Sequence, residues 1–199
     1  MNNVYVSKCE INIASNLIST YSSFGSAGLA GRNLGKINDC HVTNLEINCP
    51  VDLYGNYTKA FGIAAGIGVN YGTVTNCTIS DSKLSFSSDV SNVEYNKYGV
   101  GGCIGLNNGI IYNCEVSGTD ILGNNCVGGF IGTNPGTIAK SEVTNGIVTG
   151  NDYAGGFCGL NINKIMLCTS NNEVSGREKV AGFTGGNGYS DWGGYIVNC

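Results

Sequence analysis

The single histidine, His41, is the side chain best suited to acid–base catalysis near neutral pH. Such catalysis commonly uses a histidine beside a serine, a cysteine or a carboxylate. His41 directly follows Cys40 in the sequence. If this segment is a β-strand, neighbouring side chains point to opposite faces, and His41 cannot pair with Cys40. The order of these residues therefore argues against a Cys–His catalytic site.

The acidic residues do not form the clustered pair that a polysaccharide-cleaving enzyme needs. The fourteen Asp and Glu residues are scattered along the chain. Glu115 and Glu142 each follow the last residue of a repeat, which predicts that they lie on adjacent coils and face water. A calcium site is one interpretation, and a solvated outer surface is the favoured one. No phosphate-binding loop motif occurs, so we expect no enzyme activity, no metal and no cofactor.

Composition and charge exclude several classes of partner. Only 12% of the 199 residues are charged, about half the usual ~25%, whereas glycine is enriched to 32 residues. The net charge of −4 without a basic run excludes a nucleic-acid-binding surface. No apolar stretch of about 20 residues occurs, so membrane insertion is not expected. The first residues lack the features of an export signal, so either the chain is intracellular or the signal lies outside this segment.

The glycines and cysteines belong to a repeat with the consensus G-x-N-x-G-x-[IV]-x-x-C. Copies begin at Gly31, Gly68, Gly105, Gly132, Gly159 and Gly185. The units are predicted to end near Cys9, Cys40, Cys77, Cys114, Ser141, Cys168 and Cys199. Each unit contains short apolar segments separated by Gly and Asn, which are typical of strands. Three short strands in about 27 residues predict one coil of a parallel β-solenoid.

We therefore expect an all-β, single-domain β-helix over residues 1–199, with about six coils of three short strands. Equivalent side chains in such a fold stack about 4.8 Å apart. The consensus asparagines should form an amide ladder of Asn33, Asn70, Asn107, Asn134, Asn161 and Asn187. Gly35, Gly72, Gly109 and Gly136 follow two residues later, where we expect a positive φ, with Asn163 replacing glycine in the fifth copy.

The recurring cysteines are predicted to form an inward column of buried free thiols. Its members are Cys40, Cys77, Cys114 and Cys168, with Ser141 at one position. Free cysteine is among the most buried residue types. The serine argues against an obligatory disulfide or metal role, although both remain alternatives.

The strings "GGCIGLNNGIIYNCEV" (101–116), "GGFIGTNPGTIAKSEV" (128–143) and "GGFCGLNINKIMLC" (155–168) resemble the GLUG repeat. The resemblance extends over almost the whole chain and weakens before residue 70. GLUG repeats are known from non-catalytic regions of bacterial surface proteins, including adhesin-like molecules. The resemblance implies a surface-exposed spacer or adhesive module with no catalytic residues to transfer.

Extra residues enter two neighbouring units at the same corner, and such insertions often mark the binding face of a solenoid. The predicted corner loops span 48–59 and 85–98. Candidate ligand contacts in and beside these loops, and in a third insertion near the end of the chain, are Asp52, Tyr54, Tyr57, Asp89, Tyr95, Tyr98 and Trp192. Solvated loops with tyrosines packed on the solenoid wall are the alternative, and Trp192 could instead belong to a cap.

The leading functional hypothesis is a non-catalytic structural and adhesive module of a surface or secreted protein. Its corner loops would bind a glycan or protein ligand. The alternative is a self-assembling or filament-associated protein whose solenoid ends stack on neighbouring copies or on a longer repeat array. An intracellular location belongs to this alternative. A carbohydrate-active enzyme is the third, least favoured hypothesis.

Overall fold

The computed structural model describes residues 1–12, 24–49, 61–87, 95–191 and 193–199. In these residues the backbone winds as a parallel β-solenoid, since each strand pairs in parallel with its equivalent in an adjacent coil. The only helix among them is one 3-10 turn, Tyr95–Lys97. The described part of the chain has no helix that is both long enough and apolar enough to cross a membrane. The predicted all-β solenoid is confirmed.

Three parallel sheets, here called sheets 1, 2 and 3, run along the solenoid. Sheet 1 contains Lys36–Asn38, Thr73–Thr75, Ile110–Tyr112, Thr137–Ala139, Lys164–Met166 and Tyr195–Val197. Sheet 2 contains Tyr5–Ser7, Glu10–Asn12, Phe24–Ala27, His41–Thr43, Glu46–Cys49, Phe61–Ala64, Thr78–Ser80, Lys83–Phe86, Tyr98–Gly101, Glu115–Ser117, Asp120–Leu122, Asn125–Gly128, Glu142–Gly155 and Thr169–Ala181. Sheet 3 contains Ala30–Asn33, Ile67–Asn70, Ile104–Asn107, Ile131–Asn134, Cys158–Asn161 and Thr184–Asn187.

Alternation of inward and outward side chains explains why these short segments form strands. In the strand Ile110–Tyr112 the central Ile111 is fully buried, while both of its neighbours are exposed. Ile111 pairs in register with Val74 on one side and Ile138 on the other, which builds a continuous apolar column. Burial of each such side chain stabilises the fold by about 1.5–3 kcal/mol before the loss of chain entropy is counted.

In the earlier coils of the solenoid, the number of strands per coil differs from the predicted three. The coils that end at Cys77, Cys114 and Ser141 contain five short strands, and only the last two coils contain three. Sheet 2 accounts for the difference because in the earlier coils it is interrupted by turns. Residues such as Asn44 and Asp81, with φ of 52° and 50°, make these turns in the left-handed conformation.

The positive φ predicted for Gly35, Gly72, Gly109, Gly136 and Asn163 is wrong, since none of these residues has one. At three of these glycines a Cβ atom would instead lack room, although Asn163 takes the same position in the fifth copy. A Cβ atom on Gly72 would lie 2.0 Å from the carbonyl oxygen of Gly35 in the preceding coil. The corresponding distances at Gly109 and Gly136 are 2.1 and 2.2 Å. The residues that adopt the left-handed conformation are instead those directly before each member of the cysteine column in the sequence.

The predicted amide ladder is confirmed. Each Nδ2 donates to Oδ1 of the equivalent asparagine in the next coil, at 2.8–2.9 Å, along Asn33, Asn70, Asn107, Asn134, Asn161 and Asn187. Asn107 Oδ1 also accepts the backbone N–H of Gly109 at 3.1 Å. The four central amides are fully buried, so the ladder satisfies polar groups that would otherwise destabilise the corner.

The inward thiol column is also confirmed, with Cys40, Cys77, Cys114, Ser141 and Cys168 each at most 3% exposed. Its cysteines are free. Cys114 Sγ donates to the carbonyl oxygen two residues earlier at 3.5 Å and accepts the N–H of Cys77 at 3.4 Å. Ser141 Oγ makes the same two contacts, at 3.1 and 3.2 Å. Thiol and hydroxyl are interchangeable here because both groups donate and accept.

The repeat boundary predicted at Cys9 is wrong. Tyr5 pairs in register with His41, so Val4 occupies the column position that Cys40 takes in the next coil. Cys9 lies at the following turn and is exposed. The first coil, measured by the contact of Asn2 with Asn38, is 36 residues long. The first unit was therefore aligned incorrectly, because its alignment rested only on the recurrence of cysteine.

Candidate ligand-binding surface

Most of the residues predicted to contact a ligand lie outside the described residues. These are Asp52, Tyr54, Tyr57, Asp89 and Trp192. Tyr95 and Tyr98 are described, and the structure assigns them to different environments. The predicted corner loops also begin inside strands, since Glu46–Cys49 and Lys83–Phe86 include their first residues.

Tyr98 lies in the core and is not part of the exposed surface, which corrects its predicted role as a surface contact. The residue is 1% exposed, and its ring stacks on Phe61 at 5.4 Å between centroids. Tyr98 and Phe61 are register partners in sheet 2, so Tyr98 belongs to a strand and not to the loop before it. Burial raises the pKa of its hydroxyl well above the usual value.

Tyr95 lies on the surface, where it joins two segments that are distant in the sequence. Its ring lies 5.0 Å from that of Tyr153 and 6.0 Å from that of Tyr189, measured between centroids. Tyr95 lies near the end of the second predicted corner loop, Tyr153 belongs to an ordinary coil, and Tyr189 belongs to the insertion near the end of the chain. We call these three half-buried residues the tyrosine cluster.

An ion pair between an exposed lysine and a buried aspartate lies beside the tyrosine cluster. Lys179 Nζ lies 3.0 and 3.2 Å from the two carboxylate oxygens of Asp152, which is 7% exposed. The same ammonium group lies 4.1 Å from the centroid of the Tyr153 ring, within cation–π distance. Burial, and then the Asp152 carboxylate, raise the pKa of the Tyr95 hydroxyl.

The 3-10 turn that carries Tyr95 is held on the solenoid by side-chain hydrogen bonds. Thr133 Oγ1 donates to the carbonyl oxygen of Tyr95 at 3.3 Å and also contacts that of Tyr98. Cys126 Sγ lies 3.7 Å from the same carbonyl of Tyr95. These contacts fix the turn relative to the coils that carry Cys126 and Thr133.

Backbone strain accompanies the tyrosine cluster. Cys126, Tyr153 and Lys179 occupy equivalent positions in successive coils and have φ of 50°, 55° and 51°. Gly99 and Gly62 take this position in the two preceding coils. A left-handed conformation costs a non-glycine residue about 1–2 kcal/mol. This conformation lets the side chains of Tyr153 and Lys179 reach the tyrosine cluster. The repeat consensus did not predict a left-handed residue at this position.

The predicted separation of His41 from Cys40 is confirmed. Cys40 is buried, whereas the His41 ring stacks on Tyr5 at 4.7 Å on the outer face. His41 Nδ1 lies 2.6 Å from the hydroxyl of Thr78 in the next coil. The two residues therefore lie on opposite sides of the solenoid wall.

Two of the buried thiols, Cys126 and Cys168, are poor nucleophiles because they hold their protons at neutral pH. Burial raises the pKa of Cys126 to about 12 and that of Cys168 to about 11. The thiolate is the reactive form of cysteine, and these values leave it almost unpopulated near pH 7. Cys9 and Cys199 are the exposed cysteines of the chain.

Glu115 and Glu142 lie on adjacent coils and are exposed, as predicted, and they are register partners in sheet 2. Within the described ranges, no group of three or more His, Cys, Asp or Glu side chains is arranged to hold a metal ion.

Comparison with known protein families, with curated proteins and with solved structures found no match to this chain in any of the three searches.

Proposed function

We propose that this chain is a rigid, non-catalytic binding module that presents its insertions to a glycan or protein ligand. The observation that carries this proposal is the tyrosine cluster, which brings two separate insertions together at one place on the solenoid wall. The left-handed backbone of Tyr153 and Lys179 lets both side chains reach this place.

The chemistry of the tyrosine cluster suits molecular recognition. Each tyrosine packs one side against the core and keeps part of its surface accessible. A tyrosine held in this way offers a large amphipathic contact area at low entropic cost, which is why tyrosine is enriched at binding interfaces. Lys179, whose side chain is 46% exposed, adds a hydrogen-bond donor.

The GLUG-like repeats support placing this module in a larger bacterial surface or secreted protein, as an adhesive or spacer segment. In that setting the solenoid would hold the recognition surface at a fixed distance and orientation. The continuous amide ladder and thiol column support this role because they tie every coil to its neighbours.

A glycan array probed with the purified chain and two variants tests the proposal. We expect Tyr189→Ala, which removes one ring of the tyrosine cluster, to weaken binding at least tenfold. Tyr195→Ala is the matched control because Tyr195 is 66% exposed and belongs to sheet 1. The control should bind like the unmodified chain. The proposed function is contradicted if no glycan on the array binds Tyr189→Ala more weakly than it binds the unmodified chain, or if a polysaccharide is turned over.

A further inference from the structure

A second surface, separate from the tyrosine cluster, runs along the corner between sheets 1 and 2. It is an open cavity of about 510 Å³, here called the axial groove. Its lining residues are Asn76, Thr78, Asn113, Cys114, Glu115, Lys140, Ser141, Glu142, Leu167 and Thr169. They come from four successive coils, so the axial groove extends roughly 14 Å along the solenoid axis at about 4.8 Å per coil. Its volume lies within the range of small-ligand sites, roughly 300–1,000 Å³.

The thiol column explains why an axial groove exists at this corner. Cys114 and its equivalents point into the core, whereas the residues on either side of them point outward. One wall carries the left-handed residues Asn113 and Lys140, with φ of 54° and 51°. The other wall carries Glu115 and Glu142, the first residues of sheet 2 strands.

The fold does not use the two carboxylates of the axial groove. Glu115 and Glu142 pair in register, and like charges directly opposite each other are destabilising. Neither carboxylate has a hydrogen-bond or ion-pair partner among the described residues. The nearby Lys140 ammonium lies 5.3 Å from the centroid of the Tyr112 ring instead of neutralising them.

The opposite wall offers amide groups in a fixed orientation. Asn113 Nδ2 donates to Asn76 Oδ1 at 2.8 Å, and Asn76 Nδ2 lies 3.3 Å from Asn38 Oδ1. Asn113 is the last member of this outer amide row, and its Oδ1 accepts no hydrogen bond from a described residue. Carboxylates, amides, hydroxyls and one ammonium line the axial groove, and Leu167 is its single aliphatic side chain.

We propose that the axial groove binds a linear, neutral glycan laid along the solenoid axis. Vicinal hydroxyl groups both donate and accept, which matches the unused carboxylate oxygens and the fixed amides. Two carboxylates against one ammonium repel an acidic glycan. This site adds to the proposed binding function and shares no residue with the tyrosine cluster.

Isothermal titration calorimetry with cellohexaose, chitohexaose, mannohexaose and hexagalacturonate tests this assignment. We expect at least one neutral hexasaccharide to bind and hexagalacturonate not to bind. The double variant E115A/E142A should weaken binding at least tenfold without unfolding, because both side chains are exposed. E10A/E46A is the matched control, since Glu10 and Glu46 are also exposed register partners but lie outside the axial groove. Y189A should bind like the unmodified chain.

Three outcomes would overturn the proposal. The first is that no neutral hexasaccharide binds the chain. The second is binding that survives E115A/E142A but is lost in Y189A, which would place the glycan at the tyrosine cluster and leave the proposed function intact. The third is binding of hexalysine alone, which would make the axial groove a site for a cationic peptide.

Discussion

Asparagine recurs at one corner of every coil because a single side chain meets several needs there. Its Nδ2 bonds to the next asparagine, and its Oδ1 accepts both from the previous asparagine and from a nearby backbone N–H. Ionised aspartate has no donor for this pattern. The sequence was sufficient to predict the ladder because repetition of one amide at one position has few other physical explanations.

We expect Asn134→Ala to lower the free energy of unfolding by about 2–4 kcal/mol. The substitution removes the shorter hydrogen bond of two buried groups, at about 1–3 kcal/mol each. Asn107 Nδ2 keeps only its 3.3 Å bond to the carbonyl oxygen of Gly109, and Asn161 Oδ1 keeps only the 3.4 Å bond from the N–H of Asn163. Urea denaturation followed by circular dichroism measures this loss. Asn187→Ala is the control at the exposed end of the ladder and should cost less than about 1 kcal/mol. Equal losses in the two variants would show that burial does not govern the ladder.

At the scale of the strand and turn, sequence reasoning identified the elements better than the turns between them. The consensus glycine looked like a left-handed residue because glycine often has this role. The left-handed corner instead belongs to the position before the thiol column, where Asp39, Asn76 and Asn113 stand, but also Lys140 and Leu167. Since lysine and leucine do not signal a turn, the pattern at this position was not recognisable from residue types alone.

The steric role of the corner glycine predicts opposite results at two copies of the same consensus position. A Cβ atom on Gly109 would lie 2.1 Å from the carbonyl oxygen of Gly72, a backbone atom that cannot move away freely. Gly35 has no described atom within 4 Å of its Cβ position. We expect Gly109→Ala to cost about 3 kcal/mol, at the upper end of typical overpacking, and Gly35→Ala to cost almost nothing.

Thermal and urea unfolding of both variants measure this difference. A large loss at both positions would indicate that the glycine is needed for its backbone conformation after all. Tolerance at both would indicate that adjacent coils can separate at this corner without cost.

At the scale of the whole molecule, coils of unequal length maintain continuous columns. Ladder asparagines are 37 residues apart in the earlier coils and 26 or 27 apart in the later ones, yet their hydrogen bonds have nearly the same length. In the sequence, the extra residues of the longer coils fall between strands of sheet 2. Sequence spacing located these insertions, but it could not predict that Tyr95 and Tyr189 meet, because that depends on how each segment folds back on the wall.

Continuity of the columns predicts that one whole coil can be removed without loss of the fold. Deleting residues 142–168 joins Ser141 to Thr169, the register partner of Glu142, and brings Asn134 opposite Asn187. We expect a folded, shorter solenoid of moderately lower stability, since each coil interacts only with its neighbours. Deleting residues 142–154 removes about half a coil, places the segment after Ser141 out of register, and should prevent folding. Circular dichroism and light scattering distinguish the two, and equal behaviour of both deletions would contradict a fold in which equivalent residues of successive coils stack on one another.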